Sequence, residues 1–202
     1  MKKTNSSIKV RNIAVTAMLS AIAFILMYLE FAVPVMPGFI KFDFSDLPAL
    51  LGSFALGPVY GIIICLIKNV LHLTVSQCMF VGELSNFILG VAFVVPAGLI
   101  YQHKKSKKNA IIGGIVGAVF MGVFSIVSNY YVVYPVYYNF MPKDTIIQAY
   151  DVISSNLFHV HMTGILQCLV CFNLPFTVLK GLINVLITRS IYKPLSPILK
   201  GK

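Results

Sequence analysis

Apolar residues in this chain run in long blocks, broken by short polar stretches or by proline and glycine. Six blocks stand out: Asn12 to Phe31, Leu47 to Leu56, Pro58 to Val75, Phe80 to Tyr101, Ala110 to Tyr134 and Gly164 to Tyr192. A block of about 20 apolar residues predicts a helix that crosses a bilayer, because a rise of ~1.5 Å per residue then covers the hydrocarbon core. The second block is too short to cross alone. It must tilt, extend into its neighbours or be partly re-entrant. Gly57-Pro58 ends it sharply, since proline supplies no backbone donor and suits the first turn of the next helix. The expected fold is an all-α membrane protein, a six-transmembrane-helix bundle forming one domain over residues 1–202.

Composition agrees with that pattern. Hydrophobic residues make up 58% of the 202 and charged residues 11%, where a soluble domain has about a quarter charged; the mean hydropathy is +0.87. Sixteen Lys and Arg against six acids give a net charge of +10. The cations gather at block ends rather than among exposed aromatics, so they read as topology signals and not as a nucleic-acid surface. Lys2, Lys3, Lys9 and Arg11 precede the first block, Lys104, Lys105, Lys107 and Lys108 separate the fourth from the fifth, and Lys193, Lys200 and Lys202 follow the sixth. Six crossings put all three clusters on one face, the cytoplasmic one, with both termini there. The opposite loops hold only Lys41 and Lys143. No cleavable signal peptide is expected, because the first apolar run is long and lacks a small-residue cleavage site.

Charge inside apolar blocks is costly, about 2.5–3.5 kcal/mol per ionised side chain on insertion scales, so Lys68, Glu83 and Lys180 need partners. Lys68 and His72 are spaced i, i+4, and Glu83 and Asn86 i, i+3; each pair shares one helix face. Asn129 lies near the end of the fifth block. Under the six-crossing topology Lys68, His72, Glu83, Asn86 and Asn129 fall in the outer half of the membrane and Lys180 near its middle, outlining a polar cavity that opens outward. Each residue alone also has a structural reading. Glu83 can complement a helix dipole, Lys68 can snorkel, and His72 or Asn129 can bind helices together. Half of the six acids lie between Glu30 and Asp46, in a loop that also carries Lys41 and Asp43.

Other motifs are weaker. Cys168-x-x-Cys171 has redox or zinc spacing but sits in an apolar helix without a second ligand pair, and Cys65 and Cys78 read as packing. His159-x-His161 makes a poor metal site, and no metal is expected. The tyrosines 130, 131, 134, 137 and 138 suit an interfacial belt or a stacking wall for a planar ligand. No phosphate loop, dinucleotide fingerprint, His-Glu-x-x-His or Gly-x-Ser-x-Gly is present, so the chain has no visible engine for ATP hydrolysis. Uphill movement of a solute would need a partner to supply the work.

Five stretches carry a resemblance: Pro37-Gly-Phe-Ile-Lys-Phe-Asp-Phe-Ser-Asp-Leu-Pro-Ala-Leu50, Phe54-Ala-Leu-Gly-Pro58, Leu66-Ile-Lys-Asn-Val-Leu-His72, Val81-Gly-Glu-Leu-Ser-Asn-Phe-Ile-Leu-Gly90 and Pro175-Phe-Thr-Val-Leu-Lys-Gly181. The chain resembles the riboflavin-binding S components of energy-coupling factor (ECF) transporters, over nearly its whole length and most specifically from Pro34 to Gly90. The resemblance implies a six-helix protein of the bacterial cell membrane that captures riboflavin from outside. It also implies as partners a transmembrane T component and two cytoplasmic ATPase subunits, with no enzyme activity and no cofactor of its own. Ala14, Ala17 and Ala21 form a small-residue stripe that lets another helix approach closely, and Ala17-x-x-x-Ala21 resembles the motif by which S components dock on their T component.

Riboflavin combines a flat, largely apolar ring with polar edges and an uncharged hydroxylated tail, which suits a cavity with stacking walls and a few placed polar groups. On this reading Lys180 donates to a ring carbonyl and Asn129 meets the ring edge, while Glu83 and Asn86 serve the tail. Lys68, His72, Asp46, Phe44 and Thr177 complete the candidate binding set, with Glu83 offsetting a lysine charge. Thr177 departs from the asparagine expected in the family's Pro-Phe-Asn-x-x-Lys stretch. Pro37, Phe39 and Lys41 belong to an outer lid, and the long loop from Pro135 to Met162 has no assigned role. The alternatives are an S component for another vitamin or nucleobase-like ligand, and a membrane enzyme or scaffold.

Overall fold

The computed structural model describes residues 5–76 and 80–200, apart from the side chains of Asn5, Ile198 and Lys200. Lys2, Lys3, Cys78 and Lys202 lie outside the described residues. Helix α1 (Asn5–Tyr28) leads into a two-stranded antiparallel hairpin, β1 (Phe31–Ala32) and β2 (Lys41–Phe42), in which Phe31 pairs with Phe42 and Ala32 with Lys41. Helices α2 (Asp46–Leu56), α3 (Pro58–His72) and α4 (Val81–His103) follow. Helix α5 (Lys107–Ser128) runs through a π-helical turn, Asn129–Val133, into the short α6 (Tyr134–Tyr137). After α7 (Lys143–Phe158), α8 (Ile165–Cys168) passes through a second π-helical turn, Leu169–Asn173, into α9 (Leu174–Lys200).

Among the described residues five helices are long and apolar enough to cross a membrane: Ser6–Tyr28, Pro58–Val75, Val81–His103, Lys107–Tyr137 and Ile165–Pro197. The chain is therefore a multi-pass membrane protein. The short second block forms α2, whose 11 residues reach only about 16 Å. Asp46 and Pro48 through Phe54 are buried in it, so this helix is enclosed by its neighbours instead of facing lipid along its length.

Both π-helical turns precede a proline. Pro135 and Pro175 each lack a backbone donor and crowd the carbonyl four residues earlier, and a locally widened turn relieves both problems without ending the helix. The widened turns bring Asn129 and Asn173 to the same cavity wall.

Close helix approach depends on small residues, as is usual in lipid. A Cβ at Gly117 of α5 would lie 2.5 Å from the Phe93 carbonyl of α4, so only glycine lets these two helices meet there. Two apolar clusters result among the described residues. One joins Leu19, Leu50, Phe54, Ile64, Phe93, Met121 and Val185 from α1–α5 and α9. The other joins Met36, Tyr134, Ile146, Tyr150, Leu169 and Phe172.

The stretch from Pro135 to Met162, without a role on sequence grounds, contains α7. Its Ile146, Tyr150 and Ser154 recur at i, i+4, i+8 and are buried, so it docks by one face. Asp151 fixes the exit from α7: its carboxylate accepts the Met162 backbone N–H at 2.6 Å and faces His161 Nδ1 at 3.2 Å. These two contacts, the backbone N–H first, hold the Asp151 carboxyl below its ordinary range.

Candidate functional site

The loop leaving β2 builds the floor of a cavity of about 150 Å³. Asp43 Oδ1 accepts the Ser45 N–H at 2.8 Å, an Asx-type turn that starts α2. Its other oxygen, Oδ2, receives Lys180 Nζ from α9 at 2.7 Å. Asp46, in the first turn of α2, accepts Lys68 Nζ at 2.6 Å on Oδ1 and stands 3.5 Å from Lys180 Nζ through Oδ2. Two lysines and two aspartates thus compensate one another deep in the bundle. Burial disfavours an ionised Asp43, but Lys180 and Lys68 beside it outweigh that cost and hold its carboxyl well below the usual carboxylate range.

Glycine makes room for this arrangement. A Cβ on Gly90 of α4 would sit 3.0 Å from Cys65 Sγ and 3.2 Å from Asp46 Oδ1, so the bare backbone is what admits the carboxylate between α3 and α4.

Lys68 is fully buried and does not line the cavity. It donates to Ser45 Oγ at 2.5 Å and Asn86 Oδ1 at 3.3 Å as well as to Asp46. Lys68, expected to contact the ligand, lies beneath the floor with three acceptors around its ammonium. His72 and Glu83 form a second unit, with Nδ1 and Oε1 2.8 Å apart and Ser76 donating to Glu83 Oε2 at 2.9 Å. Glu83 thus pairs with a histidine and a serine, where a lysine partner was expected, while Asp43 and Asp46 take Lys68 and Lys180.

The structure brings Lys180, Asp46, Asn86, His72, Glu83, Asn129 and Thr177 to the one cavity. Ser85 donates to Asn129 Oδ1 at 3.3 Å, tying α4 to the end of α5. Phe39 and Lys41 line it too, with Lys41 paired to Glu30 at 2.5 Å across the base of the hairpin. Pro37 does not line it; its carbonyl accepts Ile40 N–H in the turn that aims Phe39. Phe44 also lies off the cavity, edge-on to Phe42 at 5.2 Å, because successive side chains of an extended loop point to opposite sides. Ala14, Ala17 and Ala21 are exposed on α1.

Several lining residues escaped the sequence reading. Asp43, noticed in the acid-bearing loop but given no place in the binding set, is the main partner of Lys180. Asn173, one turn before Thr177, adds an amide to the same wall and accepts Tyr150 OH at 2.5 Å, while Tyr150 and Tyr134 hydroxyls lie 2.6 Å apart. Through this relay α7 is fastened to the cavity wall. Burial, and then neighbouring Tyr134, push the Tyr150 hydroxyl well above its ordinary pKa. Phe39, Tyr137 and Phe176 supply apolar ring surface opposite the polar floor. Among the described residues no three His, Cys, Asp or Glu side chains gather to hold a metal.

The family model for "ECF transporter, substrate-specific component" matches residues 11–192. This chain belongs to that family. The S component is 35% identical over 184 residues to "Riboflavin transporter RibU" of Staphylococcus aureus (strain TCH60), covering 91% of this chain and 89% of the relative. It is 30% identical over 192 residues to "Riboflavin transporter FmnP" of Bacillus subtilis (strain 168), covering 94% of each. It also superposes with a TM-score of 0.73 and 32% identity on a solved chain described by "Structure and mechanism of the S component of a bacterial ECF transporter", covering 95% of this chain and 99% of that one. The cavity just described is thus the natural candidate for the S component's substrate site.

Proposed function

We propose that this S component captures riboflavin at the outer face of a bacterial cell membrane and hands it to a transmembrane T component driven by two cytoplasmic ATPase subunits. The observation that carries the reading is one cavity with a charge-compensated polar floor and an aromatic wall. An uncharged ligand with a flat ring and a hydroxylated tail matches it, because no net charge in the floor waits for a counter-ion. The names of the relatives support the same ligand. Riboflavin is cargo here, and the chain is a transport subunit, not an enzyme.

In this reading residues 1–202 form one substrate-binding domain of six crossings, with α2 as the short one and both termini cytoplasmic. The three basic clusters support that orientation. Lys180, Asn129 and Thr177 meet the ring edge, with Asn173 beside them; Asn86, Glu83 and His72 serve the ribityl hydroxyls; Phe39, Tyr137 and Phe176 flank the ring. Asp43 and Asp46 aim the Lys180 ammonium.

The cavity volume of about 150 Å³ falls below the roughly 300–1,000 Å³ usual for such ligands. Loading therefore requires the segment from Phe39 to Lys41 to swing outward, breaking the partly buried Glu30–Lys41 pair. Ala14, Ala17 and Ala21 on the exposed side of α1 present the surface for the T component.

Expression in a bacterium that requires riboflavin and lacks its own uptake system tests the reading. Growth on low riboflavin should appear when the chain is produced together with an ECF module, and an ATPase pair should co-purify with it. Growth rescue in the absence of any ATPase partner would contradict it.

A further inference from the structure

A second cavity, of about 590 Å³, opens where α2, α4 and α9 end and α5 begins, at the opposite end of the bundle from the hairpin. Lys105, Lys107, Arg189 and Lys193 line it, all exposed, and no carboxylate is among its described lining residues. Its inner surface is aromatic: Phe54, Tyr101 and Tyr192 pack with centroids 4.8–5.8 Å apart. Thr188 lines the same cavity, is 3% exposed, and its Oγ1 has no hydrogen-bond partner among the described residues. A buried hydroxyl in that state has desolvation to recover from a ligand. The first turn of α5, 22 residues long, borders the cavity at Lys107, Ala110 and Ile111 and adds the positive end of its dipole.

We propose that this cavity binds the phosphate group of an anionic phospholipid. Four cations, a helix N-terminus and an unsatisfied hydroxyl are the donors a phosphate diester uses, and the guanidinium of Arg189 can grip two of its oxygens at once. A free phosphate would need those donors alone. The apolar side of the cavity, Ala110, Ile111 and Val185, continues into exposed Ile112 and Ile115 on α5 and Leu186 on α9, which supplies a bed for acyl chains. Basic clusters at this end of the helices also concentrate anionic lipid. Placement in the inner leaflet rests on the topology proposed above; lipid binding as such does not.

Native mass spectrometry of the full chain in mild detergent tests the site, with phosphatidylglycerol, phosphatidylcholine or inorganic phosphate added separately. One phosphatidylglycerol should be retained per chain, at least tenfold in preference to phosphatidylcholine. The double variant Arg189→Gln/Lys193→Gln should lose at least fivefold of that retention, and Thr188→Val about twofold. Riboflavin fluorescence quenching by the same variants should match wild type, showing that the fold and the other cavity are intact. Equal retention by the double variant, or no preference between the two lipids, would overturn the proposal. Protection against heat by inorganic phosphate without retention of phosphatidylglycerol would overturn the lipid assignment in favour of a soluble phosphate ester. If wild type bound lipid as expected but failed to quench riboflavin, the riboflavin reading would fall and this one would stand.

Discussion

Lys180 and Asp43 stand 137 residues apart in the chain and meet at 2.7 Å in the floor of the cavity. The contact fastens the hairpin loop to the last helix. It also fixes an ammonium whose remaining donors can face a ligand, so one ion pair links the stability of the lid's anchor to substrate recognition.

Lys180→Ala should therefore do two things. It removes a charged donor, weakening riboflavin binding by more than about 1.5 kcal/mol, or roughly tenfold. It also leaves Asp43 buried without its main partner, lowering stability by about 3–5 kcal/mol, the range for breaking a buried pair. The double variant Lys180→Met/Asp43→Asn should regain much of the lost stability but not the affinity. Thermal unfolding in detergent alongside fluorescence titration separates the two effects, and full recovery of affinity in the double variant would remove Lys180 from the ligand's contacts.

The depressed pKa of Asp43 has a defined sign in pH. A carboxylate whose folded pKa lies below its unfolded value of about 3.9 contributes its stability fully above that value and loses it as pH falls toward the folded pKa. The stability gap between wild type and Asp43→Asn should thus stay constant from pH 7 to about pH 4 and narrow below. Melting curves across pH 3–7 check this; a gap that widened on acidification would contradict the pairing.

Tyr150→Phe removes the donor to Asn173 and the partner of the Tyr134 hydroxyl. Each buried hydrogen bond lost costs about 0.5–1.5 kcal/mol net, and the loss should appear locally. Hydrogen exchange over α7 should rise while α3 and α4 stay protected. Uniform loosening of the whole bundle would show that α7 is not separately fastened.

How much of this was readable in advance depends on the kind of signal. Crossing helices announce themselves through hydropathy, and Pro58–Val75 is one of them. Lys68, His72, Glu83 and Lys180 stood out because charge is rare in apolar blocks. Which of them pair with which did not. Lys68 and His72 share a helix face, yet they serve different units, because each is matched to whichever acid the tertiary packing brings near. Asp43 stood out as an acid in a charged loop, but nothing in the sequence paired it with a lysine 137 residues away. Asn173 was hidden in an apolar run, and its placement depends on a π-helical turn that no periodicity marks. Helix α7 was missed because only Ile146, Tyr150 and Ser154 are buried, too thin a stripe to stand out from a polar surface.

Bulky residues at Ala17 and Ala21 should separate capture from delivery. Both alanines are exposed and touch neither cavity, so Ala17→Leu/Ala21→Leu should leave riboflavin binding at the wild-type level and abolish uptake in cells by blocking close helix approach. Loss of binding as well as uptake would indicate misfolding in place of a docking defect.

The cavity floored by Asp43, Asp46 and Lys180 should hold one riboflavin without help from ATP. Titrating purified protein into riboflavin and following flavin fluorescence tests it most directly. Quenching that saturates at one flavin per chain with no nucleotide present is the predicted result; fluorescence unchanged by excess folded protein would contradict it.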